Sequence, residues 1–509
     1  MPKTALISVS DKNGVAEFAK KLIDAGYEII STGGTLKALS DAGLDVIAVD
    51  DVTGFPECFS GRVKTMHPKI MGGVLYRRGD SEHEAQAKEL EIDSIDLVVV
   101  NLYPFESAYA KASADRETPV VTDELIEQID IGGPTLLRSA AKNHKHVTVI
   151  CDTDDYDRVI TEIEKSGDTS PQTRSELATK VFLRTAAYDS AITEALSEGK
   201  NSGLILTNGT KLRYGENPHQ TGHYCDLYGT ERAWTVIQEE KQMSYLNILD
   251  ADGAWNLVCE YSEPTAACIK HANPSGVASH SDISEAFQRC YDADRLSAFG
   301  VIVALNKSCP AEVIQKIIDQ KIFAEVIIAP GYEPEALELL KKRPKLRAIE
   351  MRCPEGKDRL TARSMLGGML VQDQDTKVLT KDDLTVVTDA KPTDEQIEDL
   401  LFTWGVVKNA KSNAIVFAKD KVTTGIGCGQ TSRVDSTIIA ARRAGDRAKG
   451  SVMASDAFFP FADSIEEAAK NGITAIIQPG GSIRDEEVIA KANELGIVMV
   501  TTGVRAFKH

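Results

Sequence analysis

The 509-residue chain carries 58 Lys and Arg against 76 Asp and Glu, a net charge of −18, with 42% hydrophobic and 26% charged residues. At roughly 100–200 residues per domain this composition predicts about three ordinary globular units. The acidic balance excludes a nucleic-acid backbone or an anionic membrane as the main partner, because those select basic faces, and no apolar run approaches the roughly 20 residues of a membrane span.

The opening residues read as a first strand with no signal-peptide core, and nine scattered Cys without a C-x-x-C pair predict a reduced, cytoplasmic protein. Thr4–Ser10 reads as a strand, Asn13–Gly26 as a helix closed by Gly26, Tyr27–Ser31 as a strand, Leu36–Gly43 as a helix and Leu44–Val49 as another strand. This alternation is the signature of βα units around a parallel sheet. Strands follow at Leu97–Leu102 and Val147–Cys151, then helices at Tyr156–Ser166 and Arg174–Glu198. The polar stretch Glu198–Gly203 reads as a domain junction. Beyond it, strands at Ala266–Lys270, Val301–Leu305 and Val326–Ala329 alternate with helices at Ile283–Ala293 and Ala311–Gln320. Lys341–Lys345 and Pro354–Arg359 read as loops. A last α/β set comprises a helix at Asp394–Lys408, strands at Ala414–Ala418, Val452–Ala454 and Ala475–Gln478, and a helix at Asp485–Leu495. No internal repeat stands out.

Parallel α/β sheets bind ligands at the carboxyl ends of their strands, so the strand-to-helix junctions carry the chemistry. At Ile29-Ile-Ser-Thr-Gly-Gly-Thr-Leu36, Gly33 and Gly34 free the backbone to approach an anion, and Ser31, Thr32 and Thr35 supply hydroxyls at a helix start. The glycines alone fit a plain turn; the hydroxyls, and the similar junction Ser8-Val-Ser-Asp-Lys-Asn-Gly14, tilt the reading to phosphate. Gly61-Arg-Val-Lys-Thr-Met-His-Pro68 gathers two cations, a hydroxyl and an imidazole, which equally fits a solvated basic loop. Asn101-Leu-Tyr-Pro-Phe105 ends an apolar strand with an amide and a phenol. Ile129-Asp-Ile-Gly-Gly-Pro134 sets a carboxylate before a helix on which Arg138 and Lys142 lie near one face, so Asp130 and Lys142 are expected to meet at one pocket.

In the second half, Cys268-Ile-Lys-His-Ala-Asn-Pro-Ser-Gly276 places Lys270 beside His271 at a strand mouth before a turn, a pair in which the Lys polarises a general base. Leu212-Arg-Tyr-Gly-Glu-Asn-Pro-His219 offers Arg213 as a phosphate clamp and Tyr214 as a stacking ring. No P-loop, no G-x-G-x-x-G and no zinc-site pattern occurs, so ATP hydrolysis, dinucleotide binding and a catalytic metal have no basis in the sequence.

Together these motifs, from the SVSDKNG run through GRVKTMHP, NLYPF, IDIGG…AAKNH, RYGENPHQ, KHANPSG and SDAFFPF to Thr502-Gly-Val-Arg505, resemble the bifunctional purine-biosynthesis enzymes that join AICAR transformylase to IMP cyclohydrolase. The resemblance implies an α/β chain of two domains. Residues 1–199 would form a methylglyoxal-synthase-like parallel-sheet domain that closes the ring. Residues 200–509 would form a transformylase of two cytidine-deaminase-like subdomains, split near 360–390. It implies Lys64, Tyr103, Asp130 and Lys142 as the cyclohydrolase catalytic set, with Ser10, Lys12, Ser31, Thr32, Gly33, Gly34, Arg62, Thr65, Asn101 and Ile131 around the nucleotide.

For the transformylase the resemblance implies Lys270, His271 and Asn413 as catalytic groups. Arg213, Tyr214, Gly300, Glu325, Arg433, Phe458 and Arg505 would touch substrate, and Val434, Asp463, Ser482 and Ile483 the folate. It further implies 10-formyltetrahydrofolate as formyl donor, no catalytic metal, and a homodimer with transformylase sites between subunits, without nucleic-acid or membrane partners. Two positions depart from the family pattern. Glu325 can be Asp elsewhere, and Val301 follows Gly300 where many members carry a second glycine, so Val301 is expected to alter affinity if a ligand approaches that backbone. The rival readings are a nucleotide-binding module without turnover, and a zinc deaminase.

Overall fold

Leu97-Val-Val-Val-Asn101 is apolar along four consecutive positions and buried at all four, the pattern of a strand covered on both faces. The computed structural model describes residues 2–59, 61–113, 121–352 and 360–509; the loop expected at Pro354–Arg359 lies outside them. The chain divides into two units, residues 1–207 and 208–509. Among the described residues no helix is long and apolar enough to cross a membrane.

In the first unit the strands β1 (Lys3–Val9), β2 (Tyr27–Ser31), β3 (Ile47–Ala48), β4 (Leu97–Asn101) and β5 (Thr148–Ile150) form one parallel sheet in the order β3-β2-β1-β4-β5. The chain winds outward from β1 in one direction and resumes on its other side with β4. The carboxyl ends of β1 and β4 therefore bound a crevice at a topological switch point. The strand expected at Leu44–Val49 shrinks to two residues, because Val49–Thr53 coils into a helix closed by Gly54 at a φ of 66°. The helix expected from Arg174 begins earlier, at Pro171, where Ser170 caps the Thr173 N–H and proline suits the first turn.

In the second unit twelve strands make one mixed sheet. Its first half is β8 (Trp234–Gln238), β9 (Thr265–Lys270), β10 (Asn273–Ser279), β11 (Val301–Leu305), β12 (Ala324–Ala329) and β13 (Arg347–Met351). Its second half is β16 (Thr385–Val386), β17 (Ile415–Lys419), β18 (Val422–Gly427), β19 (Val452–Ser455), β20 (Ala475–Gln478) and β21 (Val498–Thr501). Two short pairs, β6 (Leu206–Lys211) with β7 (His223–Leu227) and β14 (Leu360–Met365) with β15 (Gly368–Asp373), stand apart.

The halves repeat one another strand for strand. An antiparallel hairpin, β9–β10 or β17–β18, is followed by an antiparallel neighbour and two parallel strands, and the halves join where β10 meets β18. The resemblance implies two like subdomains, and the repeated strand order agrees with that. The helices Tyr245–Val258 and Asp394–Lys408 cover one face of both halves through a common core that includes Trp255 and Trp404. The opposite face carries a separate core in each half. Val301 is fully buried in one of these, beside Cys268 and Val303, so its side chain packs into the core.

Candidate active sites

A cavity of about 820 Å³ opens at the crevice of the first unit. Its floor is the start of the Gly33–Asp41 helix, where Thr32 makes no side-chain cap and leaves the first backbone N–H groups to an incoming anion. Two ammonium groups flank that turn: a Cβ at Gly33 would lie 3.1 Å from Lys64 Nζ, and one at Gly34 would lie 3.7 Å from Lys12 Nζ. Ser10, Thr32, Arg62, Thr65, Asn101, Tyr103, Asp130 and Ile131 also line it. Lys64 is paired with Glu57 at 2.9 Å and Arg62 with Glu127, so both cations are held by carboxylates.

Asp130 is the carboxylate at the helix start beside this cavity. Its Oδ1 accepts the Gly133 N–H at 2.8 Å, so it caps the Gly132–Lys142 helix, and its own N–H donates to the Tyr188 hydroxyl at 2.9 Å. Burial pushes the Asp130 carboxyl above its ordinary range, opposed by the N–H groups of Gly133 and Tyr103. Tyr188 is fully buried and donates in turn to the Gln128 carbonyl; burial raises its phenol to about 12. Nothing in its alanine-rich helical surroundings marks Tyr188 as part of a site.

Three expected residues do not present a free side-chain group to this cavity. Ser31 is fully buried and its hydroxyl donates to the Ile7 carbonyl at 2.7 Å. Thr35 lines the cavity, but its hydroxyl is taken by the Val9 N–H and carbonyl, locking the helix to the end of β1. Lys142 does not meet Asp130: it is exposed in the last turn of the helix that Asp130 caps, and ten residues at 1.5 Å each put about 15 Å between its Cα and that of Gly132. Asn101 does line the cavity, yet its Oδ1 accepts the Ser10 and Asp11 N–H groups at 2.6 and 2.9 Å, so its amide shapes the β1 turn.

In the second unit Lys270 and His271 sit where β9 turns into β10. The turn is a two-residue hairpin, with Lys270 paired to Asn273, and both central residues are left-handed, His271 at a φ of 55° and Ala272 at 56°. For non-glycine residues this conformation costs roughly 1–2 kcal/mol each. Asp250, 8% exposed on the Tyr245–Val258 helix, offsets it by accepting both turn N–H groups, His271 at 3.2 Å and Ala272 at 2.7 Å. Burial raises the Asp250 carboxyl, and these two N–H groups oppose the shift. Lys270 Nζ donates to the Phe299 carbonyl at 2.9 Å and is anchored there, where the sequence reading had it polarising His271.

A cavity of about 260 Å³ beside the turn is lined by Lys270, His271 and Asn273 together with Thr423–Ile426 and Arg443, and not by Arg213, Glu325, Asn413 or Arg433. Asn273 Oδ1 accepts the Lys411 N–H at 3.0 Å and ties the hairpin to the Asn413 loop. There Arg433, nearly buried, pairs with the fully buried Asp456 and donates to Asn413 Oδ1 at 2.8 Å and to Ser455 Oγ at 3.1 Å. The tail carrying Arg505 closes on this group through the Ala506 N–H and the Asp456 carbonyl.

The remaining expected residues fall into smaller groups. Arg213 stacks over the ring of Tyr214 at 4.9 Å. Glu325 accepts from Asn247 Nδ2 at 2.8 Å and lies 3.8 Å from a Cβ placed on Gly300. Val434 is half-buried on the Arg433–Ala444 helix, and Asp463 begins the Asp463–Lys470 helix. Phe458 and Ile483 are exposed, and Ser482 Oγ accepts from the Arg484 N–H. No group of three or more His, Cys, Asp and Glu stands in metal-binding array among the described residues. Asp250, Tyr188 and Glu57 went unseen in the sequence.

The family model for the AICARFT/IMPCHase bienzyme matches residues 140–443, and that for the MGS-like domain matches residues 14–135. Over 521 aligned residues and 100% of both chains, the sequence is 49% identical to the bifunctional purine biosynthesis protein PurH of Bacillus cytotoxicus and 49% identical to that of Bacillus cereus. A crystal structure of ForH is similar over 39% of this chain and 99% of that chain, at 34% identity and a TM-score of 0.35. With a family model spanning more than half of its residues and relatives alike from end to end, the chain belongs to the AICARFT/IMPCHase bienzyme family.

Proposed function

We propose that the two units divide the family's two reactions, ring closure in the first and formyl transfer in the second. The chain is a bifunctional AICAR transformylase and IMP cyclohydrolase and carries out the last two steps of IMP synthesis. In our reading the formyl donor is 10-formyltetrahydrofolate. The free thiols of the described cysteines fit a reducing compartment, and the cytoplasm is the proposed setting.

For ring closure, the nucleotide phosphate is assigned to the start of the Gly33–Asp41 helix, between Lys12 and Lys64. The carboxamide nitrogen of the formylated intermediate attacks the formyl carbon, and the developing oxyanion needs a positive partner, which Lys64 supplies. Asp130 takes the proton from the attacking nitrogen, and the Tyr103 phenol assists the departure of water. The convergence of Lys64, Tyr103 and Asp130 on one cavity with a helix start carries this reading. Lys142 belongs to the set by resemblance alone. Residues 1–207, expressed without the rest and supplied with the formylated intermediate, should make IMP; a folded fragment without activity would remove the assignment of ring closure to this unit.

For formyl transfer, the 5-amino group of AICAR is a weak nucleophile because its lone pair is delocalised towards the carboxamide. His271 takes its proton as the nitrogen attacks the formyl carbon, and N10 of the folate leaves and is protonated. Asn413, Arg433 and Arg505 are assigned to the nucleotide, and Val434, Asp463, Ser482 and Ile483 to the folate. Their distribution over separate groups within one chain supports the family expectation of a homodimer whose subunits complete the site.

A further inference from the structure

The hairpin that carries His271 has a twin. In the second half of the duplicated sheet, Asp420 and Lys421 make the same two-residue turn between β17 and β18, at φ of 53° and 54°. Asp399, on the Asp394–Lys408 helix, accepts both of its N–H groups, Asp420 at 3.0 Å and Lys421 at 2.7 Å. Asp399 stands 149 residues beyond Asp250, and Asp420 the same 149 beyond His271, so the carboxylate cap belongs to the repeated fold. Only the first copy carries an imidazole on it.

That imidazole is otherwise unsupported. His271 is exposed, and among the described residues its ring nitrogens have no hydrogen-bond partner. The placement of the ring therefore depends on the backbone that carries it. Because the backbone is held left-handed at two successive non-glycine residues, the direction of its Cα–Cβ bond depends on what secures the turn. Each oxygen of the Asp250 carboxylate takes one turn N–H, and neither donor has a strand partner at that point.

We infer that Asp250 is a positioning residue for formyl transfer, fixing the His271 ring through the two N–H groups of its turn. The inference rests on the reading of His271 as the base. The duplicated cap supplies an internal control, since Asp399 does the same structural work where no catalytic group is carried.

The test compares Asp250→Asn with Asp399→Asn in the full chain. Asparagine keeps the size of the side chain but offers one acceptor oxygen where the carboxylate has two, leaving one turn N–H facing an NH₂ group. We expect both substitutions to lower the melting temperature. Only Asp250→Asn should lower kcat for formyl transfer, by roughly 10- to 100-fold, the scale of a misplaced reacting group. KM for AICAR and the conversion of supplied formylated intermediate to IMP should stay at the parental values. Adding Ala272→Gly to Asp250→Asn should recover part of the lost kcat, because glycine adopts the left-handed turn without steric cost. If Asp250→Asn alone does not fold, this double variant is judged by the same criteria.

A folded Asp250 variant with parental kcat would overturn the inference. So would an equal loss of formyl transfer in Asp399→Asn, which would make the cap a stability element only. His271→Ala is run alongside: if it retains formyl transfer, the reading of the base fails, whereas an inactive His271→Ala beside a normal Asp250→Asn overturns the positioning role alone.

Discussion

The Gly133 N–H donates to Asp130 Oδ1 at 2.8 Å, and a Cβ on Gly133 would come within 2.3 Å of Asp130 Oδ2. The helix start and the carboxylate are thus packed against each other with no room for a methyl group. Gly133→Ala should push Asp130 out of place, reducing IMP formation from the formylated intermediate by tenfold or more, on the scale of a displaced reacting group. Formyl transfer should be unchanged. Separate assays of the two steps check this, and equal losses in both would mean that the substitution acts on the fold as a whole.

Burial raises the Asp130 carboxyl, so the folded protein holds that proton more tightly than the unfolded chain does. This favourable contribution is fully present below the ordinary carboxylate range and is lost as pH rises through the raised folded value. Asp130→Asn removes the loss. Its melting temperature relative to the parent should therefore be more favourable at pH 7 than at pH 4, while ring closure disappears. Thermal unfolding at the two pH values gives the comparison.

Arg433 pairs with a fully buried Asp456. Removing one partner of such a pair leaves an uncompensated buried charge and costs about 3–5 kcal/mol. Arg433→Met should show that loss in urea unfolding, and Arg433→Met with Asp456→Leu should recover most of it. A substrate-binding assay on the single variant alone would mistake a folding defect for a contact.

Lys142 is exposed at the end of its helix, so Lys142→Ala should fold normally. Family resemblance predicts a fall in ring-closure turnover with IMP binding retained, because only the transition state carries the extra charge. A parental turnover would take Lys142 out of the catalytic set.

The parallel sheet of the first unit and its strand-end turns were legible because glycines, hydroxyls and cations cluster where strands give way to helices. Residue type alone does not show that the Ser31 hydroxyl is taken by the Ile7 carbonyl. The two like subdomains follow from the resemblance and not from the residue pattern, because what recurs at the hairpin is geometry: Asp250 and Asp399 recur, but His271 corresponds to Asp420 and Ala272 to Lys421. The β9–β10 hairpin was read as an undefined turn, since left-handed His and Ala do not announce a tight hairpin as Asn-Gly does. Lys142 was placed by its neighbours in sequence, and a helix carries near neighbours far apart in space.

In the proposed reading one chain holds two separate sites, with His271 serving the first reaction and Lys64 the second. The direct measurement gives each variant AICAR and 10-formyltetrahydrofolate and follows the formylated intermediate and IMP together. Lys64→Ala should accumulate the formylated intermediate. His271→Ala should form it at least roughly 100-fold more slowly, the usual scale for a general base, yet convert supplied intermediate to IMP at the parental rate. IMP production at the parental rate by either variant from AICAR, or loss of both steps in one of them, would contradict the account.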